Sequence, residues 1–536
     1  MSAPQSIINI CSGVRLDNRY EHSIYFEDST AQLEYFAGKV VKTFPAYSYL
    51  RKSWPLQVQA TMEEAQHWSY LYFRNGSGKV YYYFINQIEY KNDNMVELAL
   101  ELDVLQTYLF DFSMLDCFVE RQHTETDQMG EHTLDEGLET GELLDLATVD
   151  WSDLKDLCIL TLATINPNYY DTETPVDGLG YCYNDVFSGL TIWATDAKRW
   201  ADLSNQLNFL SNAGFVDGIV SMWMYPKTLV TLGGENTWDD TTLFKVVKGS
   251  NNASIMTYDS YARPDKLQLN NRKLYCYPYN FLYATNNQGT ASVYRFERFT
   301  DPSYPVFYCV GAVSPDASVK MYPKYYNGLE INYDQGMAMG GYPTCAWDAD
   351  VYKLWLAQNQ NQNQHAMNTA GLTIAGGAVT AMASLAMGNV AGAVGGVGAA
   401  VHGYQQIQAL MAQKADMAIQ PPQARGSFSS TVNVSVGKQT FTLVHKCISP
   451  EYATMLDSYF TMYGYKLNQV RKPNLKARPA FTYIKTVGCN IASQNGKGGP
   501  FFCTEDRVKI TSIFDRGITF WVNGDKIADY TQNNRV

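Results

Sequence analysis

The sequence predicts a mainly β protein carrying a few short helices and one long glycine- and alanine-rich apolar loop. Three observations lead there. Aromatic residues make up 14% of the 536 residues, with 39 tyrosines, while charged residues reach only 18%; rings with one apolar and one polar end suit half-wet sheet faces. Several runs alternate strictly between apolar and polar residues. A single stretch, Leu354 to Gln413, carries no Asp, Glu, Lys or Arg at all.

Read in order, the chain divides into four expected segments. Residues 1–150 read as a first β domain. Tyr81 to Tyr90 and Met95 to Phe112 form two strands joined across Lys91-Asn92-Asp93-Asn94, a hairpin with a four-residue loop. Val96, Leu98, Leu100 and Leu102 alternate with Glu97, Ala99, Glu101 and Asp103, so one face is buried and one is wet. Residues 151–350 read as a middle β-rich domain with long loops, including a strand in Leu154 to Ile165 and a helix around Arg199 to Leu210. Residues 351–425 hold the apolar loop with flanking helices. Residues 426–536 read as a C-terminal β domain that packs with the first.

In that last segment Ser449-Pro450-Glu451 is a helix start, with a capping hydroxyl, proline at the first position and an acid in the first turn. Tyr452, Met455, Leu456, Tyr459, Phe460 and Tyr463 recur at helical spacing, and Gly464 ends the helix. Strands are expected over Tyr465 to Arg471, Ala480 to Ile491 and Arg507 to Val522. Lys466, Arg471, Lys472, Lys476, Arg478 and Lys485 make this the one basic zone; a solvated face or a subunit contact accounts for it better than nucleic-acid binding.

The apolar loop, Ala366 to Tyr404, follows a polar run of alternating Gln and Asn that reads as a hinge. An amphipathic helix follows it, stopped by Pro421-Pro422. The first arm, Thr369 to Met387, would span about 28 Å as a helix, near the ~30 Å hydrocarbon thickness of a bilayer. Its apolar residues are Leu372, Ile374, Val379, Met382, Leu385 and Met387. After Gly388-Asn389, Val390, Val394, Val397 and Val401 share one helical face, and Gly388, Gly392, Gly396 and Ala399 form a small-residue ridge on another. A helical hairpin that enters a membrane fits this pattern.

Magnitudes limit how firmly such a hairpin holds. Each interior glycine costs roughly 1 kcal/mol relative to alanine in a helix, and nine lie between Gly371 and Gly403. Leu372, Ile374, Val379 and Leu385 together supply only about −2 kcal/mol toward insertion. That balance suits conditional insertion. A glycine-alanine hairpin buried in an oligomer is the competing reading, and a plain linker the weakest.

Chemistry is sparse elsewhere. Seven histidines include no HxxxH pair, and ten cysteines include no CxxC pair, so buried reduced thiols are expected rather than a metal site. No cofactor is implied. Gly76-Ser77-Gly78-Lys79 lacks phosphate-loop spacing and reads as a hairpin turn. Acidic pairs such as Asp135-Glu136 and Asp239-Asp240 leave open a carbohydrate-degrading enzyme, for which two carboxylates would have to converge. The net charge of −12 argues against a sequence-specific duplex binder, and the N-terminus shows no secretory signal. A stand-alone pore-forming protein is disfavoured on that ground.

Five stretches carry a family resemblance: ELDVLQTYLFDF (Glu101 to Phe112), TLDEGLETGE (Thr133 to Glu142), QALMAQKADMAIQPPQ (Gln408 to Gln423), YGYKLNQVRKPNL (Tyr463 to Leu475) and IFDRGITFW (Ile513 to Trp521). In this order they resemble the distal tail-knob proteins of small short-tailed bacteriophages of the Salas type. The resemblance implies tail-tube-like β domains and a homo-hexameric ring at the distal tip of a virion tail, assembled in the host cytoplasm. It implies an upper tail tube or connector protein as neighbour, and genomic DNA passing through without sequence specificity. It also implies that Ala366 to Tyr404 plugs the tube and later forms a channel in the host cell membrane. An acidic lumen would repel phosphate and let DNA slide.

Overall fold

The computed structural model describes residues 6–47, 55–75, 78–152, 156–163, 182–183, 186–187, 191–196, 219–234, 237–239, 245–250, 253–313, 318–340, 342, 344–347, 424–427, 439–493 and 504–536. Strands dominate them. The chain forms two compact units, one of residues 1–142, 267–279 and 448–536, the other of residues 143–266 and 280–447. The partition is interleaved: residues 267–279, within the expected middle domain, belong to the first unit, and 426–447 belong to the second.

The first unit is built on a six-stranded sheet in the order Val40–Tyr47, Ser6–Ser12, Trp68–Arg74, Val80–Asn92, Met95–Leu102, Leu56–Gln59. Alternation decides which face goes inside: Val96, Leu98, Leu100 and Leu102 are all buried. Asn92 pairs with Met95, so the hairpin turns on Asp93-Asn94 alone, tighter than the four-residue loop expected. Arg74 pairs with Val80, so Asn75 to Lys79 join two antiparallel strands as expected, with Gly78 at φ +88. The aromatic load sits in the core, where Phe36 stacks on Tyr70 at 5.1 Å and meets Tyr82 at 4.7 Å. Burying each such ring contributes about 1.5–3 kcal/mol.

Two expected strands are shorter than their apolar runs. Met95–Leu102 ends where the Asp103 carboxylate accepts from the backbone N–H of Leu105 and Gln106, which starts the helix Val104–Tyr108. Arg507 to Val522 is a helix, Thr504–Arg516, followed by the strand Ile518–Trp521. Ile510, Ile513 and Phe514 lie at helical spacing and are buried. Glu505, Asp506 and Arg516 complement the helix dipole, and Gly517 at φ +99 ends it. The β-branched residues in this run concealed that period.

The unit's second sheet runs His22–Ile24, Ile518–Trp521, Phe481–Val487, Cys117–Gln122, Tyr465–Arg471, so the two ends of the chain share one sheet. Against it lies the helix Pro450–Tyr463, capped by Ser449, whose hydroxyl accepts from Tyr452 N–H. Leu456 and Phe460 are buried, whereas Met455 is exposed. Gly464 follows at φ +64, ψ −154, a region held almost only by glycine. A Cβ there would also lie 2.6 Å from the backbone of Gln122 and His123.

The second unit contains sheets of seven, five and four strands. The seven-stranded sheet runs Val230–Leu232, Lys245–Ser250, Thr191–Asp196, Leu157–Ala163, Ile219–Pro226, Thr344–Trp347, Ala424–Ser427. Its interior strands are apolar on both faces, with Met222, Trp223, Met224 and Tyr225 fully buried. The helix expected around Arg199 to Leu210 lies outside the described residues.

Candidate functional site

Every residue singled out for the apolar loop lies outside the described residues: Leu372, Ile374, Val379, Met382, Leu385, Met387, Val390, Val394, Val397, Val401, and the ridge Gly388, Gly392, Gly396, Ala399. So do the Gln/Asn run and Pro421-Pro422. What is described is where the loop begins and ends. Thr344–Trp347 and Ala424–Ser427 pair antiparallel, in the register Thr344↔Ser427, Cys345↔Gly426, Ala346↔Arg425, Trp347↔Ala424. Trp347 and Ala424, the described residues on either side of 348–423, therefore face each other on the last rung of a ladder.

That ladder is anchored. Thr344–Trp347 also pairs with Ile219–Pro226, through Ser221↔Ala346, Met222↔Cys345 and Trp223↔Thr344. Ile219–Pro226 in turn pairs along its length with Leu157–Ala163. The pair thus forms the edge of a sheet whose neighbouring strands are buried, and backbone hydrogen bonds join its two strands. Sequence reasoning missed this stem: four-residue strands with 76 residues between them leave no local signal, and only their pairing reveals them. No described helix is long and apolar enough to cross a membrane.

The acidic pair Asp135-Glu136 takes a structural role. The Glu136 side chain is fully buried and ion-paired with both Arg121 and Lys273. It also accepts from Lys466 N–H at 3.1 Å. Lys273 Nζ further donates to the Leu134 carbonyl at 2.7 Å, and burial pushes the Lys273 ammonium below its ordinary value against the pull of Glu136. Beside this cluster Asp457 accepts from the backbone N–H groups of Asn270 and Asn271, at 2.9 and 3.0 Å, and from both amide side chains. Residues 267–279 are thereby tied to the helix Pro450–Tyr463. With both oxygens engaged by cations, Glu136 is no general acid for sugar cleavage, and Asp135 accepts from Gly137 N–H at 3.0 Å.

The basic zone is likewise divided among partners. Lys476 pairs with Glu27 and Lys485 with Glu120, each at 2.8 Å, while Arg478 is buried. In the second unit His445 is fully buried between Tyr258 (2.7 Å at Nδ1) and Asn280 (2.6 Å at Nε2). Tyr258 O–H donates to Nδ1 while Nε2–H donates to the Asn280 side-chain carbonyl, the tautomer this network assigns. Burial, with Arg263 adding repulsion, lowers its pKa to about 4. Cys11, Cys117, Cys158, Cys276, Cys309 and Cys447 are buried free thiols and Cys489 a half-buried one, and among the described residues no three metal-ligating side chains converge.

Two family models match. One, the C-terminal domain of tail knob protein gp9 of Bacillus phage phi29, covers residues 243–535. The other, the N-terminus of the caudoviral major tail protein, covers residues 4–113. The chain is 26% identical to the tail knob protein gp9 of Bacillus phage B103 and 25% identical to that of phage phi29, in each case over 99% of this chain and 98% of the relative. Among solved structures, the bacteriophage C1 tail knob protein gp12 shares the fold, with a TM-score of 0.65 over 98% of both chains at 14% identity. The chain belongs to the tail knob protein family of short-tailed bacteriophages and is a structural component of the phage tail.

Proposed function

We propose that this tail knob protein forms, as a homo-hexamer, the distal tube of the tail, joined to an upper tail tube or connector protein. The genome leaves through it. Residues 366–404 plug the tube and then enter the host cell membrane. The observation that carries the membrane step is the charge-free stretch Leu354 to Gln413, hung on a hydrogen-bonded stem. Each Lys, Arg or Asp at a bilayer centre would cost about 2.5–3.5 kcal/mol, so their absence is what insertion requires. Weak insertion per chain, about −2 kcal/mol for the first arm, is multiplied when several copies act together. The net charge of −12 suits a conduit that DNA must not adhere to.

The test is release of dye from liposomes. The intact protein releases it, and protein lacking residues 366–404 assembles but does not. Val379→Asp with Val394→Asp places two charges worth about +5 to +7 kcal/mol against that −2, so leakage is abolished. Undiminished leakage from the double variant reduces the tract to a plug. No enzymatic step belongs to this role, in keeping with relatives named for a structural part; product release from host cell-wall glycans would favour a carbohydrate-degrading enzyme instead.

A further inference from the structure

The first unit contains a polar cavity of about 330 Å³ whose walls come from five separate stretches of chain, His123 among them. Asn270 and Asn271 form one side and Thr461 of the helix Pro450–Tyr463 another; Arg478 and the C-terminal segment Tyr530 to Arg535 close it. No carboxylate lines it, and two guanidinium groups do.

Neither guanidinium is neutralised well. Arg478 is 6% exposed, yet its Nη2 lies 3.9 Å from Asp127, at the limit of an ion pair. Its Nη1 reaches the Asn534 carbonyl at 3.4 Å, and its Nε has no partner among the described residues. Asp127 is shared among donors: its Oδ2 already accepts from Tyr465 O–H at 2.8 Å and Arg272 N–H at 3.2 Å, and burial raises its pKa. Arg535 spends two donors on one neutral oxygen, Asn270 Oδ1, at 3.0 and 2.7 Å. The other acids nearby are engaged: Asp457 by Asn270 and Asn271, Asp529 by Thr531 and Gln532. His123 is neutral, its pKa pushed down to about 3 by burial and by Arg478.

A buried cation without a full complement of acceptors costs free energy unless an anion completes it. Guanidinium groups match the oxygens of a phosphoryl group in geometry as well as charge. We infer that this cavity binds a phosphoryl group, free or carried on an ester, between Arg478 and Arg535. A volume of about 330 Å³ leaves room for an organic substituent beside the phosphate. Occupancy fastens the C-terminal segment to Asn270-Asn271 and to the helix at Thr461, joining three segments that the chain brings together from far apart.

The experiment is a ³¹P NMR titration of the full-length protein with inorganic phosphate and with dimethyl phosphate, at constant ionic strength held by chloride. Saturable binding of phosphate is expected, weakened at least tenfold in Arg535→Gln and in Arg478→Met. Arg535 is exposed, so its variant folds and decides the matter if Arg478→Met does not. Comparable binding of dimethyl phosphate identifies a phosphodiester polymer as the source; binding of inorganic phosphate alone identifies a free or terminal phosphate. Absence of saturable binding by either, an unchanged affinity in Arg535→Gln, or equal competition by acetate overturns the assignment.

Discussion

Replacing residues 348–423 by a two-residue Asn-Gly turn leaves the second unit folded and, by the loop-closure argument, more stable. Trp347 and Ala424 are cross-strand partners, the spacing that a two-residue hairpin turn bridges. Closing a loop costs about (3/2)RT ln n, so shortening it from about 76 residues to 2 removes up to about 3 kcal/mol of closure entropy. The ladder itself, from Thr344↔Ser427 to Trp347↔Ala424, is untouched, as is its pairing with Ile219–Pro226. Urea unfolding of the two proteins at equal concentration, followed by tryptophan fluorescence, measures the difference. The shortened protein should unfold at the same or a higher midpoint with cooperative behaviour retained. A midpoint lowered by more than about 1 kcal/mol, or failure to fold, would show that the removed residues pack into the unit's core. The stem would then be a seam within a larger fold rather than the base of a separable loop, and the buried-hairpin reading of the tract would gain over the membrane one.

Two further outcomes follow from buried charge. Glu136→Gln leaves Arg121 and Lys273 without their shared carboxylate, and should cost about 3–5 kcal/mol in denaturant unfolding of the first unit; a loss below about 1 kcal/mol would mean water reaches the cluster. The second unit should lose stability as pH falls from about 6.5 to about 4. Over that range unfolded His445 takes up a proton that the folded site, with its pKa near 4, refuses, a loss of about 3 kcal/mol. In the first unit His123, near 3, acts in the same direction, while Asp103, raised to about 6 by burial, opposes it because its folded form holds its proton longer. His445→Gln should flatten the acid limb measured on the second unit, and an unchanged limb would place its cause in other groups.

The sequence by itself determined features whose physics is local. The alternation of Val96, Leu98, Leu100 and Leu102 could serve only a strand with one buried face, and Ser449, Pro450 and Gly464 bounded their helix because caps act within a turn of themselves. The charge-free character of residues 354–413 is likewise a property of composition. Where two local rules competed, the pattern misled: the β-branched residues of Arg507 to Val522 concealed the helical spacing of Ile510, Ile513 and Phe514. Only the tertiary structure decided which distant segments meet. It brought Thr344–Trp347 beside Ala424–Ser427, drew residues 267–279 onto Asp457, and enclosed Glu136 between Arg121 and Lys273. A strand's periodicity states which face is buried but not which strand lies beside it, and the neighbours of Glu136 in sequence say nothing of Lys273, which arrives from 137 residues away. Those pairings are selected by the free energy of the whole packed unit, in which every buried donor and charge must find its partner together.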